Sequence, residues 1–288
     1  MATNILVTGS NGQLGSEIRA IANQYKEYNF IFTDIQELDI TDKKQIEKII
    51  KSKDINCVIN CAAYTAVDKA EDDIQKARLL NKIAVLNLAE ATTQFNALLV
   101  HISTDYVFDG KNYKPYTETD NTNPKSFYGK SKLEGEIEVI FNATKAIIIR
   151  TSWLYSSYGN NFVKTIINKG KEKGLLNVVN DQVGTPTYAN DLAHAILQII
   201  PKFNSTNKTE IYNYSNEGVI SWYDFAKAII ELKKIKCNVI PIDSKSYPTP
   251  AARPFYSVLN KSKIKTDFNI QIPYWKDSLV KCLSLINE

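Results

Sequence analysis

In the first 150 residues, short apolar runs alternate with stretches whose apolar positions recur every three or four residues. The runs are NILVTG (4–9), FIFTD (30–34), NCVINCAA (56–63), ALLVHIST (97–104) and KAIIIRTS (145–152). Between the first two, Leu14, Ile18, Ile21, Ala22 and Tyr25 keep helical spacing; Ile46, Ile49 and Ile50 do the same further on. Residues 73–95 predict one long helix and residues 125–141 another. Strands that are apolar almost throughout belong to parallel sheets covered on both faces. Their alternation with helices predicts an α/β fold, a doubly wound, Rossmann-type parallel sheet.

Beyond residue 150 the pattern loosens. Residues 161–174 and 221–234 predict helices, the second opened by a Ser221 cap. Asn190 is positioned to cap a helix over 191–203, and residues 209–216 and 238–243 read as strands. Prolines gather in a long loop at 241–254. The reading is a sheet domain over 1–150, to which later segments return, and a smaller α+β lobe over 151–288.

Composition narrows the class. The 288 residues are 44% hydrophobic and 23% charged, which excludes disorder. No run reaches the roughly 20 apolar residues of a membrane span. Thirty-five basic against 31 acidic residues leave a net charge of +4, too small and too scattered to predict a nucleic-acid partner. No basic segment leading into a long apolar run opens the sequence, so a cytoplasmic protein is expected. Four cysteines do not make a disulfide framework. Cys57 and Cys61 read as one buried strand, where four residues span roughly 13 Å, too far for a bridge or a shared metal. Two isolated histidines, His101 and His194, do not make a zinc site, and no metal-ligand set is predicted.

The first run ends in TGSNGQLG, with glycines at 9, 12 and 15 between a strand and an amphipathic helix. Gly9 permits the tight turn, Gly12 lets backbone N–H groups approach a pyrophosphate, and Gly15 brings helix and sheet together. The helix N-terminus then offers unpaired donors and the positive end of its dipole. The spacing predicts a dinucleotide cofactor. Asp34, at the end of the second strand, stands where a carboxylate accepts from the adenosine ribose; it tilts the choice mildly toward NADH over NADPH. Asp39 either touches the adenine or caps the next helix.

Tyr128 and Lys132 are four apart on a predicted helix, hence on one face. An ammonium beside a phenol stabilises the phenolate and lowers its pKa, and such a tyrosine can pass a proton to or from an alcohol or carbonyl oxygen. Ser103 and Thr104 end the fourth strand at the carboxyl edge, where such sheets bind ligands. Thr104 is the third candidate, hydrogen-bonding the same substrate oxygen.

The ordered segments TGSNGQLG, NCAAYTAVDKAE, STDYVFDG, YGKSKLEGE, IRTSWLY, DQVGTPT and ARPFYSVL together resemble an extended short-chain dehydrogenase/reductase, and within that superfamily the branch that reduces dTDP-4-dehydro-L-rhamnose. The resemblance runs from residue 4 to about residue 283. It implies that NADPH or NADH is the cofactor and that a nucleotide sugar, reduced at its C4 keto group, is the substrate. It implies that Gly12, Gln13 and Leu14 face the pyrophosphate, that Asp34, Asp39 and Ile40 surround the adenosine, and that Ala62, Ala63, Tyr64 and Thr65 line the cofactor cleft. Thr104, Tyr128 and Lys132 are then the catalytic triad, and Thr104, Asp105 and Trp153 hold the sugar. Trp153 is otherwise a core aromatic following a buried strand. Asn161 and Gln182 are further candidates for the substrate pocket. Arg253 either pairs with the substrate diphosphate or is a solvated loop charge.

Some members hold Mg2+ between two subunits through a glutamate placed as Glu17 is; a carboxylate there is equally helix-dipole chemistry. Monomer and homodimer both fit. Related 4,6-dehydratases carry Asp-Glu after the threonine, whereas this chain reads Thr104-Asp105-Tyr106, which favours simple reduction. The alternatives are a reductase or epimerase of another nucleotide sugar, and a non-catalytic NAD(P)-binding subunit like the regulatory partner of methionine adenosyltransferase.

Overall fold

The computed structural model describes residues 3–203 and 208–286. Strand β1 (Thr3–Thr8) runs into helix α1 (Gln13–Ile21), then β2 (Tyr28–Phe32), α2 (Lys43–Ser52) and β3 (Cys57–Asn60). The predicted long helix follows as α3 (Ile74–Arg78), a π-helical turn at Leu79–Ile83 and α4 (Ala84–Gln94). Then come β4 (Leu98–Thr104), α5 (Phe127–Asn142) and β5 (Ala146–Thr151).

The second half contains β6 (Leu154–Tyr155), α6 (Phe162–Lys173), β7 (Leu175–Val179), β8 (Val183–Gly184), β9 (Thr187–Tyr188) and α7 (Ala189–Ile199). It continues with β10 (Thr209–Tyr214), β11 (Ile220–Ser221), α8 (Trp222–Leu232), β12 (Asn238–Ile242), α9 (Ser262–Phe268) and α10 (Trp275–Ser284).

The central sheet has six parallel strands in the order β2-β1-β3-β4-β5-β10. The chain leaves β1 toward one edge and returns to add β3 on the other side, so the order reverses between β1 and β3. Crevices at such a reversal, outside the carboxyl ends of the strands, are where open α/β sheets take ligands. Alternate residues of each strand face opposite helical layers. Ile5, Val7, Ile59 and Val100 pack on α1, α7 and α9; Leu6, Val58 and Leu99 pack on α2, α4 and α5. Each such fully buried aliphatic side chain stabilises the fold by roughly 1.5–3 kcal/mol. A separate apolar cluster joins α6, α8 and α10 with β7 and β12, which pair in parallel.

Two local expectations change. The third strand ends at Asn60, so Cys61 lies beyond the pleat on the wall of a cavity, not in the strand with Cys57. Helix α7 begins at Ala189, with Tyr188 at its N-cap; Asn190 is inside the first turn and its amide is used elsewhere. Ser221 does cap α8, with Asp224 completing a reciprocal capping box.

Candidate active site

The glycine turn sits at the β1/β3 reversal. Gly9 adopts φ +62°, and a Cβ there would lie 2.6 Å from the backbone nitrogen of Ala62. A Cβ on Gly15 would lie 2.5 Å from Ser10 Cα, so only glycine lets α1 approach the strand end this closely. Gly12 is the N-cap of α1 and provides no side-chain cap, leaving the first-turn N–H groups for a ligand. These features fit a pyrophosphate, and the wall beside them fits an adenosine.

A cavity of about 620 Å³ is lined by Gly9, Gly12, Asp34, Asp39, Ile40, Ala62 and Ala63. Asp34 is held in place by backbone donors: Asn11 N–H to Oδ2 and Ile35 N–H to Oδ1, both 2.9 Å. Asp39 accepts from the Thr41 amide and hydroxyl, while Asp42 caps α2, so the helix-cap reading of Asp39 does not hold. Lys76 also lines this cavity; nothing in its local sequence distinguishes it from an ordinary surface lysine.

A second cavity, about 540 Å³, opens on the other side of the turn. It brings together Gly12, Gln13, Leu14, Ala63 and Thr65 with Thr104, Asp105, Tyr128, Lys132, Trp153 and Asn161. Tyr64 is held beside it: Asn81 accepts from its backbone N–H and donates to its carbonyl, and its hydroxyl donates to Asp73. Asn81 occupies the π turn and also donates to Ser131 on α5. The extra residue of that turn thus ties the cofactor-side loop to the helix carrying Tyr128 and Lys132.

The electrostatics differ from the expectation for the Tyr-Lys pair. Burial pushes Tyr128 up to about 12, with the Thr104 hydroxyl opposing and Asp105 reinforcing the rise. Burial lowers Lys132 to about 8 against the pull of Glu136. The Lys132 Nζ donates to the Ile102 carbonyl at 2.7 Å. In this protein environment the phenol stays protonated at neutral pH, which suits a proton donor. Asp105 is 2% exposed and its Oδ2 has no protein partner. Burial raises its pKa to about 7, against the hydrogen bond that Thr104 donates to Oδ1.

Ser103 lines this cavity, but its hydroxyl is committed elsewhere. It donates to Glu136, which is paired through two oxygens with Arg150 in a fully buried network. Trp153 lines the cavity at φ +48°, its ring stacked on Trp222 with centroids 3.6 Å apart. Asn161 caps α6 through Oδ1, and its amide donates to Gln13 and to the Ser156 carbonyl. It therefore joins the glycine helix to the 156–161 loop.

Glu17 lies past the first turn of α1 and is 1% exposed, so the helix-dipole reading fails. It accepts from Ser156 Oγ at 2.6 Å and from Asn190 Nδ2 at 3.0 Å. Among the described residues, no group of three or more His, Cys, Asp or Glu side chains is placed to hold a metal.

A third cavity, about 610 Å³, shares Tyr106, Phe162 and Trp222 with the second and adds Lys169, Lys173, Gln182, Tyr247 and Arg253. Gln182 donates to Ser244 Oγ. Arg253 is not a solvated charge: its guanidinium makes a two-pronged contact with Asp68 at 2.9 and 2.8 Å. Trp222 and the Lys169/Lys173 pair escape a sequence reading. Only their four-residue spacing marked the two lysines as one helix face.

The chain matches the family described as RmlD substrate binding domain over residues 3–287. It is 43% identical over 283 residues to a dTDP-4-dehydrorhamnose reductase of Aggregatibacter actinomycetemcomitans, covering 96% of both chains. A crystal structure of a dTDP-4-dehydrorhamnose reductase from Clostridium acetobutylicum superposes with a TM-score of 0.93 at 45% identity, covering 99% of each chain. One from Bacillus anthracis, solved in complex with NADP, gives 0.93 at 39% identity with the same coverage. No helix among the described residues is long and apolar enough to cross a membrane. The glycine turn at the sheet reversal, the Thr104/Tyr128/Lys132 cavity and this full-length similarity converge: the chain belongs to the RmlD substrate binding domain family, on an extended short-chain dehydrogenase/reductase fold.

Proposed function

We infer that this protein is an NAD(P)H-dependent oxidoreductase that reduces the C4 keto group of dTDP-4-dehydro-L-rhamnose to give dTDP-L-rhamnose, acting in the cytoplasm as a monomer or homodimer. The observation that carries the reading is the single cavity in which the glycine turn faces Thr104, Tyr128 and Lys132. Gly9, Gly12, Gln13 and Leu14 would hold the pyrophosphate of the dinucleotide, Asp34, Asp39 and Ile40 would surround its adenosine, and Ala62, Ala63, Tyr64 and Thr65 would line the rest of the cofactor cleft.

The cofactor supplies a hydride to the sugar carbon. The rest is the work of this chain's own residues. Tyr128, protonated at working pH, gives its proton to the oxygen as negative charge develops there. Thr104 donates to the same oxygen, and the Lys132 ammonium stabilises the phenolate left behind. Asp105, with one oxygen free, accepts from or donates to a sugar hydroxyl. Trp153 closes the cavity with its ring braced by Trp222. Lys169, Lys173 and Arg253 supply positive charge in the adjoining cavity, where the substrate diphosphate fits; Gln182 lines the same wall.

The test is oxidation of NADPH and of NADH with dTDP-4-dehydro-L-rhamnose, run beside the UDP and GDP forms of the sugar. Turnover with the dTDP sugar is expected. No oxidation with any of the three would refute the reading.

A further inference from the structure

A chain of buried polar groups lies behind Lys132, and its members line none of the three cavities. Thr8 on β1, Asn60 on β3 and His101 on β4 are each 0–1% exposed and sit on neighbouring strands. Thr8 Oγ1 donates to Asn60 Oδ1 at 2.7 Å, and the Ala62 backbone N–H donates to the same oxygen at 3.2 Å. A backbone N–H can only donate, so it fixes which way the Asn60 amide points. The Asn60 Nδ2 then faces His101 Nδ1 at 3.1 Å, and it too can only donate.

His101 Nδ1 is therefore an acceptor. Burial holds the ring pKa well below its ordinary value, with Lys132 adding to the effect, so the ring is neutral. Its one proton is on Nε2, and Nε2 lies 3.5 Å from Lys132 Nζ. His101 thus turns an N–H, not a lone pair, toward the lysine. An ammonium finds its acceptor at the Ile102 carbonyl and meets a second donor at His101. Only the amine form has a lone pair for that N–H.

Of the other charged and titratable groups around Lys132, Glu136 pulls toward the ammonium form, and burial outweighs that pull. On its own helix stand Tyr128 and Glu136, and the Glu136 carboxylate is committed to Arg150 on β5. At the end of β4 stands Asp105, and just after β3 Cys61, whose thiol burial pushes up to about 12.

We propose that His101, held as its Nε2–H tautomer by Asn60, is a positioning residue that biases Lys132 toward releasing its proton. The step it assists is regeneration of the acid: an Nζ–H bond breaks, the phenol O–H of Tyr128 forms, and solvent reprotonates the amine. The consequence for turnover rests on Tyr128 and Lys132 being the proton-transfer pair; the tautomer does not.

The chain contains two histidines, so 15N labelling of their rings gives two readable spin systems. His194→Gln assigns them. In the unliganded protein the His101 ring is expected to stay neutral with its proton on Nε2 between pH 5 and pH 9. A ring protonated on Nδ1, or one that becomes cationic in that window, overturns the proposal without reference to turnover.

Asn60→Asp puts an acceptor opposite Nδ1. It is expected to switch the ring to the Nδ1–H form and, in the reductase assay, to move the alkaline limb of kcat up by about one pH unit, a tenfold gain in the lysine's proton affinity. A switched ring with an unmoved limb would overturn the link to Lys132. Should that variant not fold, His101→Gln, which can offer an oxygen near Nζ, is expected to shift the limb the same way. Activity lowered equally at every pH would mean a structural role alone.

Discussion

Tyr128 is the residue on which turnover depends most. Tyr128→Phe removes the proton and leaves the ring, so reduction should fall by about 10²–10⁴-fold. Cofactor affinity, measured by fluorescence titration, should be nearly unchanged. Because Lys132 is lowered to about 8, the rate should fall as pH rises through that value, while Tyr128, near 12, stays protonated.

Asp105 makes a prediction about stability. Its carboxyl titrates near 7 in the folded chain and near 3.9 when unfolded. Between those values the folded state binds more protons, so the group's stabilising contribution is present at low pH and is lost as pH rises through 7. Asp105→Asn should therefore melt higher than the parent at pH 8 and lose that advantage at pH 5, while its KM for the sugar nucleotide rises. A melting difference independent of pH would contradict the raised pKa.

These residues were unevenly legible in the chain, for physical reasons. Tyr128, Lys132 and Thr104 were legible because their spacing and strand-end position follow from local periodicity. The environment that raises Tyr128 was not, because burial comes from segments far apart in the chain. Arg253 could not be read for the same reason: its partner, Asp68, is 185 positions away.

At the scale of elements, the glycine turn is the least forgiving. Gly15→Ala would drive a Cβ into Ser10, and the β1–α1 junction must open to admit it. The variant should lose the rise in melting temperature that dinucleotide gives the parent, as followed by differential scanning fluorimetry. The Arg150–Glu136 pair under α5 is the clearest structural commitment, with both side chains nearly inaccessible. Arg150→Met leaves the Glu136 charge buried and unpaired, at a cost of about 3–5 kcal/mol in denaturant unfolding.

Strands and helices with strong periodicity were legible from the chain alone. The π turn was not, since one inserted residue leaves the apolar pattern of the α3–α4 segment almost unchanged. Nor was the true start of α7. Asn190 has the composition of a cap, but Glu17, on a helix distant in sequence, takes its amide.

For the whole molecule, three cavities adjoin: one lined by the first half alone and two to which residues beyond 150 contribute, with polar ties across them. Asn161 joins the glycine helix to the 156–161 loop, and Arg253 joins the 241–254 loop to Asp68. Binding of a dinucleotide at about a hundred times its Kd should stabilise the protein by about 2.7 kcal/mol, visible as a concentration-dependent melting temperature.

On this reading hydride passes, within the Tyr128 cavity, from a nicotinamide to carbon 4 of a nucleotide-bound sugar. The most direct measurement uses NADPH deuterated at nicotinamide C4, one hydrogen face at a time, with dTDP-4-dehydro-L-rhamnose, and mass and NMR analysis of the product. Deuterium is expected at C4 of the sugar from one face only, with its transfer slowed about 10²–10⁴-fold in Tyr128→Phe. Product without the label, or label transferred at an undiminished rate by Tyr128→Phe, would contradict the reading.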